Sequence, residues 1–491
     1  MKKVRNISSN LSIVASAIAL SLIFTGCGES DPKNEGNHLP DVHILQNNKT
    51  VNVGTKVNLT STAIDVDGDA LTYEWKFVSK PTSSSATLTT STTKKASFTA
   101  DKAGKYVVQF VAKDVVDAIG KDTVTITAKA SNSCTSYTEL SEDITNNKTL
   151  DGCYKIMKRL SVSNDALLTV KPGSTILFNG GAGLNIYGGA LKSVGTPKEP
   201  ILFTGEQKVS GYWEGITFEN SNNPNNEIGY TTIEYAGGNG RAALSVFPDG
   251  NEELCRLKLY NTTLKHSSSY GFYFSHNAIL DRFENVTSTK NEKTAGFIHI
   301  TNADKLDSQS DFSGNLGDDY VTVGTSGGWI NNDKTWKALT VPYNILGNFS
   351  IDADATLTIK AGATIVFDRS KTITTYGGLK AIGTAKSPIV FTGKGETPGY
   401  WSGLKYFRTN NADNVLDYVT IEYGGEYYGG LVIDSTDASS YTRISVTNST
   451  FKDNAGAGIY IRYDEYAKYN KDIDSSNTFI NNESGAVVRG D

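Results

Sequence analysis

The chain is short of several things that common functions require. Its 491 residues include 4 cysteines, 2 methionines, 11 prolines and 5 histidines. His38, His43, His266, His276 and His299 stand at no metal-ligating spacing, which argues against a histidine-built metal centre. Lys and Arg number 47 against 52 Asp and Glu, for a net charge of −5. That balance leaves no basic footprint for nucleic acid. The N-terminal apolar run at residues 11–24 is too short to span a bilayer comfortably.

Glycine (47), tyrosine (25) and phenylalanine (19) are plentiful. Aromatics fit a pleated surface, and Gly with Asn, Ser and Thr fits many turns, so the composition points to short strands. The length exceeds one compact core, so modules or an elongated array are expected.

Lys2, Lys3 and Arg5 precede the apolar run, which ends Phe24-Thr25-Gly26-Cys27. The pattern reads as a signal peptide over 1–26. Small residues before Cys27 resemble the lipobox of bacterial lipoproteins, with Phe24 where Leu is usual. The resemblance implies acylation of Cys27 and a membrane anchor without a spanning helix. Ordinary signal cleavage is the alternative. Residues 27–40 are polar and aperiodic, as a flexible tether is.

Residues 41–130 contain seven short β-type runs separated by turn residues, the pattern of a β-sandwich. Trp75, within an alternating run, is assigned to the core. The string AIDVDGDALTYEW, followed by AGKYVVQFVAKD and DTVTIT, resembles a PKD domain. That implies a spacer or contact module rather than an enzyme. Asp65, Asp67 and Asp69 crowd one turn. Two readings stand: a structural calcium site, with Asp114 nearby, or a turn capped by Asp side chains. An EF-hand is excluded, because Ala70 and Lys76 occupy its Gly and Glu positions. Apart from this calcium, no cofactor is expected.

Cys134 and Cys153 flank a short segment and are expected to form a disulfide that helps cap the next module. Closing such a loop is worth ~3 kcal/mol. Cys255 is read as a buried thiol in a strand, with pairing to either other cysteine left open.

The remainder repeats itself. LTVKPGSTILF (168–178), PILFTG, GYWEGI and TTIEYAGG return as LTIKAGATIVF (357–367), PIVFTG, GYWSGL and VTIEYGG. The offset is about 188 residues, an internal duplication. Ile186, Ile216, Leu244 and Phe272 recur at intervals of 30, 28 and 28, and Phe178, Phe203 and Ile233 at 25 and 30. These intervals suit turns of a three-sided coil, each column stacking inside. Gly188-Gly189, Gly237-Gly238, Asn261, Gly377-Gly378, Gly424-Gly425 and Asn448 mark corners. The strings resemble right-handed parallel β-helix proteins of the pectin-lyase-like fold. The fold class is therefore all-β: an N-terminal β-sandwich, then a long right-handed parallel β-helix with an internal duplication. Its units are 131–330 and 331–491, with no obvious C-terminal cap.

That resemblance implies either glycan binding or polysaccharide cleavage. No lyase or hydrolase constellation is legible, no Gly-His-Gly corner occurs, and Asp318-Asp319 reads as a solvated turn. Shared polar positions are Glu234 and Glu422 in IEY, and Tyr212, Trp213, Tyr400 and Trp401 in GYW. The glutamates read as solvated or lysine-paired. The tyrosines and tryptophans are candidates for stacking on sugars, with packing between coils as the alternative. The terminal Arg489-Gly490-Asp491 is too short a match to an integrin ligand to carry weight. The expectation is an exported lipoprotein anchored by its lipid at the outer membrane or cell surface. It would act as a non-catalytic binding or structural module for a polysaccharide or surface macromolecule, with a polysaccharide lyase or hydrolase as the alternative.

Overall fold

The computed structural model describes residues 37–129, 134–248, 254–326 and 328–490. The signal peptide, Cys27, most of the tether and Asp491 lie outside the described residues. Among the described residues, no helix is long and apolar enough to cross a membrane.

Seven strands build the first module. Asp41–Ile44, Lys56–Ile64 and Lys95–Thr99 form one sheet; Lys49–Asn52, Ile119–Lys129, Gly104–Lys113 and Thr72–Ser79 form the other, in that order. Alternation drives the packing: Tyr106, Val108, Phe110 and Ala112 of one strand are all buried. Trp75 lies among them, its ring centroid 4.7 Å from that of Phe110. Its indole nitrogen donates to the Thr93 carbonyl at 2.8 Å, so burial leaves no orphaned donor.

From Thr138 onward the strands are short and pair in parallel. The inner coils of the first unit each contribute one strand to each of three sheets. One is a 13-stranded sheet that runs through both units; the others have 7 and 6 strands. The Cys134–Cys153 disulfide is formed and ties the opening of the helix to its second rung, where Cys153–Ile156 pairs with Thr138–Leu140. Cys255 is buried and outside any disulfide.

The interior is columnar. In the long sheet, Leu184, Ile216, Leu244 and Phe272 sit directly above one another. The column continues through Val321, Tyr343, Ile365, Phe391, Ile421 and Phe451. Leu184 rather than Ile186 belongs to it, below Leu160 of the first strand of the sheet; Ile186 pairs with Phe218 in the neighbouring column. Similarly Ile176, not Phe178, stands over Phe203 and Ile233. The reason is the two-residue period of a strand: positions i and i+2 both face inward, and spacing alone does not choose between them. One gap in the column is Gly296. A Cβ there would lie 2.2 Å from the Phe272 ring, so the ring fills the space a side chain would take.

Corners carry the expected left-handed residues, among them Asn261 (φ 47°) and Asn448 (φ 50°), and also Tyr235 and Tyr423 (φ 61° and 58°). Asparagines link successive coils: Asn291 to Asn315 at 2.9 Å and Asn454 to Asn482 at 2.7 Å.

The junction between units alters the geometry. The long sheet passes through Gly296–His299, Val321–Gly324, Tyr343–Ile345 and Thr364–Phe367. Thr364–Phe367 repeats Thr175–Phe178, yet Thr175–Phe178 belongs to the 7-stranded sheet of the first unit. Conversely, Gly183–Tyr187 lies in the long sheet, while its repeat Thr372–Thr375 lies in a different 7-stranded sheet. Equivalent strands of the two units therefore occupy different sides of the coil.

A short 3-10 helix at this junction, Ile300–Lys305, is capped by buried His299. The His299 Nε2 lies 2.6 Å from the Ser326 carbonyl, which accepts, leaving Nδ1 to accept from Thr301. Burial, opposed by the Ser326 contact and assisted by His276, pushes this imidazole below its ordinary value.

Two outcomes are expected. Ile216→Ala removes a rung of the column and costs ~2–5 kcal/mol in denaturant unfolding. His299, depressed in the folded state, contributes its stability above the unfolded value of about 6.5 and loses it as pH falls below that point. His299→Gln should flatten the stability profile in this window.

Candidate functional site

The aspartate turn is held internally. Asp65 Oδ1 accepts from the Asp67 and Asp69 amides at 2.9 and 3.4 Å, and Asp67 accepts from the His38 amide at 2.7 Å. Asp114 accepts from Asn37, Val116 and Ala118. Desolvation, and then the charges of Asp65, Asp114 and Asp67, push the Asp69 carboxyl up. Among the described residues no group of three or more His, Cys, Asp or Glu is arranged to hold a metal ion. Asp65 Oδ2 has no hydrogen-bond partner.

The tryptophans correct the sequence expectation. Trp213 and Trp401 are fully buried. Trp213 stacks on Phe178 at 3.8 Å and Trp401 on Phe367 at 4.2 Å. Their indole nitrogens donate to the carbonyls of Glu234 and Glu422 at 2.9 and 2.8 Å. They lock the GYW corner to the IEY strand and have no face left for a sugar. Tyr212 and Tyr400 are half-buried. Tyr400 lies beneath the Arg369 guanidinium, 4.9 Å away. The IEY glutamates are lysine-paired: Glu234 with Lys265 at 3.0 Å, Glu422 with Lys452 at 2.6 Å. Burial opposes it, but Lys265 and Thr204 hold the Glu234 carboxyl below its usual range. Asp319 caps the Gly314 and Asn315 amides, and Asp318 pairs with Lys394 at 2.7 Å.

The exposed aromatics lie elsewhere. In the first unit, outward residues of the long sheet form a strip. Tyr187 (46% exposed) pairs in register with Glu219, and Phe247 (47% exposed) follows on the next strand. Tyr273 lies 6.1 Å from Phe247, ring to ring, and stacks on Phe297 at 4.5 Å. A cleft of about 240 Å³ opens there, lined by Arg241, Ser245, Phe247, Tyr270 and Tyr273. Arg159 bridges Glu214 (3.1 Å) and Glu219 (3.8 Å), and Arg241 reaches Glu214 at 3.6 Å. Beside them Asn185 is buried; its amide donates to Glu219 at 2.8 Å while its Oδ1 has no partner.

The second unit has a counterpart on its own 7-stranded sheet. Tyr376 repeats Tyr187, Phe407 repeats Glu219, Asp434 repeats Phe247, and Tyr460 repeats Tyr273. Tyr376 lies 5.5 Å from both Trp329 and Phe407. Lys405 and Arg408 lie within 4.7 and 4.5 Å of the Phe407 ring centre. Asp434 is buried, with Lys405 at 2.9 Å and Arg462 at 3.7 Å on Oδ2, while Oδ1 has no partner. Neither strip is legible from the repeat, because only its tyrosines return in both copies and an outward tyrosine at a Gly-Gly corner reads as part of a turn. The available signal was the pair of Tyr-Gly-Gly corners, which place Tyr187 and Tyr376 just past the last inward residue.

Residues 46–128 match a family model described as a PKD domain, and residues 328–460 match one described as a pectate-lyase like beta helix domain. No curated protein matches the chain. Among solved structures, a nucleoside hydrolase-related hypothetical protein from Saccharophagus degradans, described as associated with carbohydrate metabolism, is similar at 20% identity. The match covers 19% of this chain and 26% of that one, TM-score 0.18. The chain thus spans about a quarter of that protein's length. The PKD domain of human KIAA0319 is similar at 18% identity over 23% of this chain and 100% of that one, TM-score 0.18. The PKD domain of KIAA 1837 is similar at 18% identity over 22% and 99%, TM-score 0.16.

Trp213→Ala and Trp401→Ala should each lower unfolding stability by ~3–5 kcal/mol, as large buried aromatics do. Tyr187→Ala, at an exposed position, should change it by under ~1 kcal/mol. The reverse order in denaturant unfolding would place the tryptophans at the surface. The chain joins a PKD-type domain to a pectate-lyase-like β-helix domain.

Proposed function

We propose that this is a carbohydrate-associated extracellular protein whose β-helix binds glycans without cleaving them. It is exported and held at the cell envelope by a lipid on Cys27, with the PKD-type domain as spacer. The observation that carries the binding reading is the outward strip of each unit. Exposed aromatic rings lie beside arginine or lysine and beside a buried oxygen that lacks a hydrogen-bond donor. Rings accept the apolar face of a pyranose, and a sugar hydroxyl supplies the missing donor. The matched domain types support the carbohydrate association.

A second reading, a polysaccharide lyase or hydrolase, is favoured by Arg159, which faces both Glu214 and Glu219. Against it, a general acid needs a carboxyl kept apart from cations in an apolar setting, and these two share one guanidinium.

The test is a polysaccharide panel, with binding and chain length both measured. Binding without shortening is expected, and Phe247→Ala and Tyr376→Ala should each weaken it between ~2- and ~10-fold. Depolymerisation abolished by Arg159→Gln would establish the second reading. Cys27→Ser should move the protein from the membrane fraction to the medium; unchanged partition would remove the anchor.

A further inference from the structure

The two strips occupy equivalent places in the repeat but share only two outward side chains: tyrosine at 187 and 376, and tyrosine at 273 and 460. Elsewhere the groups have exchanged places. The first unit has a carboxylate at Glu219 and a ring at Phe247; the second has the ring at Phe407 and the carboxylate at Asp434. At the adjacent corner, Glu214 accepts from Asn239 at 2.6 Å, whereas in the second unit Ser402 donates to Glu426 at 2.9 Å. The carboxylate has crossed to the loop after IEY. The cation has moved too, from Arg159 and Arg241 to Lys405 and Arg462. Each unit nevertheless keeps an exposed ring, two carboxylates, two cations, and one oxygen without a donor on a side chain more than nine-tenths buried. Those oxygens are Asn185 Oδ1 and Asp434 Oδ1. In the second unit, however, both cations face Asp434, which also carries that oxygen, while Ser370 and Ser402 donate to Glu426. Packing of a coil does not require this set, because the strip faces outward.

The sides differ. The first strip lies on the 13-stranded sheet, and the second on the 7-stranded sheet that contains Gly403–Phe407 and Gly429–Asp434. In the second unit the long sheet carries Ile389–Gly393 and Val419–Glu422 instead. A straight continuous track along one side would need equivalent strands to continue in one sheet.

We propose that each strip is a separate binding site for a hydroxyl-rich polysaccharide, and that their different facing makes one protein molecule a cross-linker of two polymer chains. The proposal rests on the glycan reading above. It concerns number and direction of sites, which that reading leaves open. Two sites that cannot engage one stretch of chain together gain little avidity from each other and instead bridge chains.

The test uses the full chain carrying Cys27→Ser, so that no lipid gathers copies, and confirms a monomer by light scattering. The probes are soluble polygalacturonate and, as a neutral polymer, glucomannan. Each is followed by binding and by growth of scattering as polymer chains are joined. The expected result is binding plus cross-linking of at least one polymer. Phe247→Ala with Tyr273→Ala, or Tyr376→Ala with Arg462→Gln, should leave binding at the other strip but reduce cross-linking at least about tenfold. Far-ultraviolet circular dichroism and unfolding curves unchanged from the parent show that these outward substitutions spare the fold. Binding by the parent without cross-linking, or cross-linking that survives either double substitution, overturns the two-site proposal alone. Absence of binding to both polymers and to the wider panel overturns the glycan reading and this proposal with it.

Discussion

Like side chains stacked between parallel strands hold this molecule together, and its other features follow from that. The column from Leu184 to Phe451 is one line of contacts in one sheet, interrupted where the Phe272 ring stands in for a side chain at Gly296. Each coil buries its apolar face only on its neighbours. The inward positions are therefore constrained in every turn, and the outward positions are left to vary. Corner residues bear the same constraint. A Cβ at Gly377 would lie 2.0 Å from the Asp352 carbonyl oxygen, so only glycine fits between the coils there.

This division explains which parts of the repeat are shared. GYW and IEY return in both units because Trp213 and Trp401 stack inside and hydrogen-bond to the IEY backbone. Tyr235 and Tyr423 take the left-handed turn in both units. The IEY glutamates each meet a lysine on the next rung, a cross-strand pair that offsets like-charge crowding along a parallel ladder. None of this demands a ligand. The strips built around Tyr187 and Tyr376 show the opposite behaviour: their groups move between rungs while the set is retained. At such positions chemistry, rather than packing, is the better account of the residues present.

Much of the fold was legible in the residues. Seven strands before residue 130, a coil for each interval of 25 to 30 residues, and left-handed corners at Asn261 and Asn448 all follow from alternation and turn chemistry. The Cys134–Cys153 bridge was legible because the two residues flank the first rung. The exact columns were not, since Ile186 and Leu184 both face inward. The change of side between units was not either. It depends on the 3-10 helix at Ile300–Lys305 and the short strands after it, which carry no repeat signal. The strips were hidden for a related reason. An outward Tyr at a Gly-Gly corner looks like turn punctuation until the neighbouring coils place Phe247 or Phe407 beside it.

The account's central claim is that the tryptophans of the two GYW corners are interior and the outward aromatics of the two strips meet the ligand. Hydroxyl-radical footprinting of the intact protein, with and without a bound polysaccharide, reads both halves residue by residue. The account predicts that Trp213 and Trp401 resist oxidation in either state, while Tyr187, Phe247, Tyr376 and Trp329 are oxidised when free and protected when bound. Oxidation of the two tryptophans in the free protein, with ligand protection falling on them instead of on the strips, would contradict it.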